Sequence, residues 1–357
     1  MDYYISEQMA DTKNKRNAGS KARTDAEIIL DRLGFQQICI HEIETERDNA
    51  NPFQKLQQHL TIENSLNEQL SMIKKDDSLL IQFPLLNHTL FIAKVIQKLT
   101  SRGVHVILLI HDLNYLRHMS NQWTNKMRVH YEEITSLEHA SMIIAHNQRM
   151  INELCKAGIP KQKLVSLEIF DYLVPEYRKR KQIYDSSLIV AGNLSQKKAA
   201  YLYQLPEDLK VNLYGIGYDG PEDEMHRYMG SYSPEELPSQ LHGSFGLVWD
   251  GDSIATCAGH FGEYLRINDP HKTSLYLAAG IPVAIWKEAA LADYIQEHQC
   301  GILLDSLQTA SVQLQSISPE EYQMLCTNAE AVGALIRQGT HLTNAVQTCN
   351  FILESKK

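Results

Sequence analysis

Val104-His105-Val106-Ile107-Leu108-Leu109-Ile110-His111-Asp112 is a near-continuous apolar run that ends in two titratable side chains. It is far shorter than the ~20 residues needed to span a bilayer, and such a run reads as a strand buried on both faces. Upstream lies a helical pattern over about 89–100, with Gly103 beyond its end; downstream come a second apolar strand at 141–145 and a helix over 148–156, stopped by Gly158-Ile159-Pro160. Buried strands alternating with helices make a parallel, doubly wound sheet. The alternation extends back through a strand at 78–83, a polar amphipathic helix at 56–73, a strand at 37–41, a helix at about 21–33 closed by Gly34, and a first strand at 3–6. Segment 171–185, with Pro175 and the basic run Arg178-Lys179-Arg180-Lys181, breaks the rhythm and reads as a solvated linker. The pattern then restarts: strands at 188–191, 211–214, 245–249, 281–286 and 302–304, helices at 196–204 and 270–279, and a helical tail from about 319 to 353. The spacing predicts an N-terminal α/β domain over 1–175, a second over 186–335 and a C-terminal helix over 336–357, with a ligand cleft between the carboxyl ends of two sheets.

The 357 residues suffice for two cores. Net charge is 34 − 43 = −9, which argues against a nucleic-acid coat. With 43% apolar and 22% charged residues the composition is that of a globular protein. No stretch reads as a signal peptide or membrane span, and the six scattered cysteines contain no CxxC pair, so a cytoplasmic protein with reduced thiols is expected.

A helix N-terminus carries partial positive charge, so a cation in the first turn is unfavourable by about 0.3–1 kcal/mol. Three loop-to-helix junctions break this rule. In the first, Lys13-Asn14-Lys15-Arg16-Asn17-Ala18-Gly19-Ser20-Lys21-Ala22-Arg23, Gly19 allows close backbone approach, Ser20 is the expected N-cap and Lys21 and Arg23 follow. The second is Gly192-Asn193-Leu194-Ser195-Gln196-Lys197-Lys198, with Ser195 as N-cap. The third is Asn268-Asp269-Pro270-His271-Lys272-Thr273-Ser274, with Asp269 as N-cap and Pro270 at N1. Cations added to exposed helix N–H groups make anion sites, and a diphosphate is the anion that fits.

Other motifs are weaker. Gly215-Ile216-Gly217-Tyr218-Asp219-Gly220 fits the dinucleotide fingerprint GxGxxG, but Pro221-Glu222-Asp223-Glu224 follows where a helix is required, so it reads as a turn. Asp250-Gly251-Asp252 fits the DxD pattern of metal-dependent sugar transfer, yet the basic junctions already offset a diphosphate's charge, and no metal is expected. His111 and Asp112, at the ligand-facing end of their strand, are candidates for general-base work or for structural roles. Tyr232, before Ser233-Pro234-Glu235-Glu236, is placed to stack on a nucleobase or to pack on the protein.

Three blocks carry a family resemblance: Ile107-Leu108-Leu109-Ile110-His111-Asp112, Gly246-Leu247-Val248-Trp249 and Lys272-Thr273-Ser274-Leu275-Tyr276-Leu277-Ala278-Ala279-Gly280-Ile281-Pro282-Val283. The chain resembles, nearly end to end, the GT-B glycosyltransferases related to the third glucosyltransferase of bacterial adhesin-glycosylation clusters, and more loosely the bacterial galactofuranosyltransferases. The resemblance implies two Rossmann-like domains and a UDP-sugar donor held mainly by the C-terminal one. It also implies no required metal or other cofactor, and homo-oligomers (dimers or tetramers) acting on serine-rich-repeat adhesins that already carry GlcNAc. The family's UDP-contacting block falls on Asn268, Asp269, Pro270, His271, Lys272 and Thr273, with Lys272 at the family's lysine. Tyr232 matches its tyrosine. Its arginine after the Gly-Asn pair is replaced, the aligned position being Gln196 with Asn193 and Lys197 nearby. Its N-terminal loop threonine falls near Ala18, beside Gly19 and Ser20. The stretch from Asn17 to Ala22 is more similar to the galactofuranosyltransferase branch. The expectation is transfer of a hexose, glucose or GlcNAc, to a GlcNAc-bearing glycoprotein, with Lys272 steadying the leaving diphosphate and Asp112 or His111 as base. The alternatives are galactofuranosyl transfer in polysaccharide synthesis, a nicotinamide-dependent oxidoreductase, and a non-catalytic partner subunit.

Overall fold

Apolar runs become parallel strands and the amphipathic segments between them become helices in a computed structural model of the chain. It describes residues 1–8, 18–41, 51–86, 89–117, 127–181 and 183–355. The basic residues 13–17 of the first junction lie outside the described residues. The chain divides into two compact units: Met1–Asn14, Ala26–Leu167 and Thr343–Lys357 form the first, and Lys15–Asp25 with Glu168–Leu342 form the second.

In the first unit, six strands lie in the order β2 (Gln36–His41), β1 (Asp2–Gln8), β3 (Ser78–Phe83), β4 (His105–Ile110), β5 (Met142–Ala145) and β6 (Leu164–Ser166). All pairings are parallel, with Leu80 opposite Ile107 and Leu108 opposite Ile143. Residues 106–108 are fully buried because helices cover both faces of a parallel sheet. Helix Ile92–Ser101 turns Ile92, Val95, Ile96 and Leu99 inward at helical spacing. The strand order reverses between β1 and β3, the point at which open α/β sheets hold ligands.

The second unit's sheet has the order β12 (Gly301–Leu304), β11 (Val283–Trp286), β10 (Phe245–Val248), β7 (Leu188–Asn193), β8 (Val211–Ile216) and β9 (His226–Gly230). Its pairings are also parallel. Read from β9, this is the strand order of a dinucleotide-binding domain, and it reverses between β7 and β10. The eight-residue helix His271–Ala278 packs over β10 at this point. Gly246 makes that possible, since a Cβ there would stand 2.0 Å from Cγ of Tyr276. The tail is two helices, Pro319–Gln338 and Thr340–Glu354, parted at Gly339, whose left-handed φ of +81° suits glycine.

Several expectations change. Of the segment read as a solvated linker, residues 171–173 are buried, because Asp171 and Tyr172 bond to other segments of the second unit, while the described residues 174–185 are partly or fully exposed. The 196–204 segment is one short α-turn followed by a 3₁₀ turn. Strands β6 and β9 lack the apolar signature because the first has only three residues and the second is mostly exposed or half-buried. Among the described residues no helix is long and apolar enough to cross a membrane.

Candidate functional site

The third basic junction forms the most developed site. Helix His271–Ala278 begins one residue later than expected, with Pro270 rather than Asp269 at the N-cap, and no side chain caps it. At its far end Arg337 donates to the Ala278 carbonyl at 2.9 Å, a cation where the helix dipole favours one. At its start the dipole disfavours Lys272, whose Nζ lies 2.7 Å from Asp250 Oδ1 and 3.0 Å from the Trp249 carbonyl. Buried polar atoms around this start have no hydrogen-bond partner among the described residues: Asn268 Oδ1, His271 Nδ1, Thr273 Oγ1 and Ser274 Oγ. Such atoms are rare in a folded interior and point to a missing partner.

His271 is held on three sides. Its ring stacks on Tyr172 at 5.0 Å and meets the edge of Phe170 at 6.0 Å. Nε2 lies 3.2 Å from the Asp171 carbonyl. A carbonyl only accepts, so Nε2 carries the proton and Nδ1 is left a bare acceptor. Burial, with some help from Lys21, pushes this imidazole down to about 4, so it is neutral at physiological pH. Tyr172 also donates its hydroxyl to the Pro234 carbonyl at 2.6 Å. The carboxylate of Asp171 accepts from the backbone of His341 and Leu342 and lies 3.0 Å from His341 Nδ1.

The first junction is organised differently from expectation. Its helix starts at Ala18, so Ser20 lies within the first turn and does not cap it. Ala18 and Gly19 lie in the same turn. Lys21, only 5% exposed, is engaged by Asp25 Oδ1 at 2.5 Å and the Leu173 carbonyl at 2.9 Å, with its ammonium 5.0 Å above the Tyr172 ring. This ammonium is engaged by the protein. Burial pushes Asp25 up to about 6 despite Lys21. At the second junction Ser195 takes the N-cap position without a side-chain bond, Asn193 Oδ1 accepts the Ser195 N–H at 3.0 Å, and Gln196 and Lys197 are exposed. Tyr232 is half-buried, donates to the Met229 carbonyl at 3.1 Å and lies 6.3 Å from the Tyr214 ring.

His111 and Asp112 belong to the first unit. His111 Nε2 lies 2.7 Å from Gln82 Oε1; Asp112 pairs with Arg117 and accepts the Leu113 N–H at 3.0 Å. Glu133, which sequence reasoning missed, accepts from the backbone of Asn114 and Tyr115 at 3.1 and 2.9 Å and is pushed by burial up to about 7. Asp171, Tyr172 and the pairing role of Asp250 were also missed. None of these left a signal in sequence; the Lys21–Asp25 pair, also missed, did so through its i,i+4 spacing.

The GxGxxG stretch begins within the last two residues of β8, Gly215 and Ile216, and continues into irregular chain that reaches β9 with no helix between, as the turn reading requires. Among the described residues no group of three or more His, Cys, Asp or Glu side chains could hold a metal ion.

Two Rossmann-type units, with a cationic, uncapped helix start at the second unit's switch point, are the architecture of the GT-B glycosyltransferases. The chain belongs to the Glucosyltransferase 3-like family, whose N-terminal domain matches residues 2–169 and whose C-terminal domain matches residues 188–349. It is 31% identical over 341 residues to the beta-1,6-galactofuranosyltransferase WbbI of Escherichia coli K12, covering 94% of each chain. It is 24% identical over 314 residues to Glucosyltransferase 3 of Streptococcus parasanguinis, covering 86% of each. A solved structure of HepE from Anabaena in complex with UDP shares the fold, with a TM-score of 0.54 at 12% identity over 99% of this chain and 100% of that one.

Proposed function

We propose that this glycosyltransferase moves a hexose, glucose or GlcNAc, from a UDP-sugar to a GlcNAc-bearing acceptor such as a serine-rich-repeat glycoprotein. The observation that carries the reading is the start of helix His271–Ala278: an ammonium, an uncapped helix N-terminus and the unsatisfied polar atoms of Asn268, His271, Thr273 and Ser274 lie within seven consecutive residues. A diphosphate brings acceptor oxygens for the helix N–H groups, the Lys272 ammonium and the Thr273 and Ser274 hydroxyls. The donor's ribose and sugar bring hydroxyls that can donate to His271 Nδ1 and Asn268 Oδ1.

In the reaction an acceptor hydroxyl oxygen bonds to the anomeric carbon as that carbon's bond to phosphate breaks, and the electron pair leaves on UDP. Lys272 offsets the charge that develops on the departing diphosphate, a contribution to the transition state as well as to binding. If the anomeric centre inverts, Asp112 is the proposed base for the acceptor proton. Tyr232, Asn193, Gln196 and Lys197 are proposed on the uridine side, and Ala18, Gly19 and Ser20 near the donor. The reading assigns no metal, because Lys272 supplies the neutralising charge and engages Asp250; activity that survives chelation by EDTA is the corresponding expectation. A cytoplasmic homo-oligomer is part of the same proposal.

A second reading, galactofuranosyl transfer, is supported by the higher identity to the Escherichia coli relative. It alters the donor and leaves the site unchanged. One experiment separates the two: melting shifts and turnover with UDP-glucose, UDP-GlcNAc, UDP-galactose and UDP-galactofuranose, with a GlcNAc-bearing peptide as acceptor. Stabilisation and turnover by a UDP-hexopyranose support the main reading, turnover only with the furanose supports the second, and no stabilisation by any UDP-sugar removes both.

A further inference from the structure

The ammonium of Lys272 is already engaged by the protein. It lies 2.7 Å from Asp250 Oδ1 and 3.0 Å from the Trp249 carbonyl, and the two charged side chains are only 16% and 14% exposed. An ammonium has three N–H donors, and these two contacts occupy two of them. Asp250 sits on a firm support. It follows Trp249, which is fully buried and donates its indole N–H to the Ser253 carbonyl at 2.9 Å.

A carboxylate and a phosphate bind an ammonium by the same chemistry, as anionic oxygens that accept charge-assisted bonds. A diphosphate drawn to Lys272 therefore meets an anion that already holds it, and the two anions repel across a short distance. Building on the UDP reading above, the geometry points to Asp250 as an internal competitor for Lys272. It is a positioning residue that yields the ammonium to the diphosphate and reclaims it as UDP departs, setting how tightly the product is held. A carboxylate that only anchored the lysine for its ligand would have the opposite effect: its removal would loosen binding.

The two roles differ in sign, so UDP titration by calorimetry distinguishes them. In Asp250→Asn, UDP binds about tenfold more tightly than in the wild type, product inhibition by UDP strengthens in the same ratio, and kcat falls while the KM for donor does not rise. Asp250→Glu keeps the competing charge and binds UDP within about twofold of the wild type. Should the Asn protein not fold, Asp250→Ser is read by the same criteria. Unchanged or weaker UDP binding in the neutral variant overturns the inference. Lys272→Ala checks the underlying reading separately: if it binds UDP as well as the wild type, the diphosphate site itself is wrong, whatever Asp250 does.

Discussion

The phenolic oxygen of Tyr276 accepts the backbone N–H of Ala191 at 2.8 Å, which fastens the helix carrying Lys272 to the end of β7. Both residues are buried. Tyr276→Phe keeps the ring over Gly246 and strands the amide. Leaving a buried donor unsatisfied costs about 1–3 kcal/mol. Urea unfolding should show that loss, and unchanged stability would mean the bond contributes nothing net.

Lys272→Ala should lower turnover with a UDP-sugar on the order of a hundredfold, the scale seen when a group that stabilises developing charge is removed. Both kcat and kcat/KM should fall, because the interaction strengthens as the diphosphate departs. Near-normal kcat in steady-state assays would eliminate the mechanism.

Glu133 supplies a pH test. Burial raises it from its ordinary 4.5 to about 7, so the folded protein holds its proton more firmly than the unfolded chain. Its contribution to stability is present at low pH and is lost as pH rises through about 7. Glutamine does not titrate. The stability of Glu133→Gln relative to wild type should therefore improve by about 3 kcal/mol between pH 4 and pH 8. His146 and His271, both pushed down to about 4 by burial, cancel in this difference. Chemical denaturation at several pH values checks it, and a difference independent of pH rejects the assignment.

Lys21→Met removes the counter-charge of Asp25. Asp25 is already raised to about 6 by burial, against the lowering effect of Lys21, and rises further without it. At pH 5 the carboxyl is largely neutral in the variant and the loss is small. At pH 8 it must either ionise unpaired or hold its proton against the solution, and the loss approaches about 3 kcal/mol. Equal destabilisation at both pH values would show that the pair's charge is irrelevant.

Much of the architecture was legible because buried parallel strands advertise themselves. Ser78–Phe83 and Gln148–Lys156 have the bounds expected from apolar runs and helical periodicity. Edge strand His226–Gly230 was not legible, since its exposed residues carry no alternation that burial would impose. At the site, the odd placement of Lys272 at a helix start was visible in sequence. Its partner Asp250, 22 residues earlier, was not: the carboxylate there read as half of a metal signature, and only the packing of the helix over β10 brings the two together. Lys21 misled for the opposite reason. Sequence shows a cation near a helix start, but whether it serves a ligand or a buried carboxylate depends on what covers that turn.

Tyr172 touches the His271 ring, the Lys21 ammonium and the Pro234 carbonyl at once. Any replacement is therefore judged by three neighbours distant in the chain. Phenylalanine keeps the two ring contacts and loses the hydrogen bond, and a residue without an aromatic ring loses both ring contacts. Variation at position 172 is thus coupled to positions 21 and 271, and libraries at this tyrosine are best built with all three randomised together.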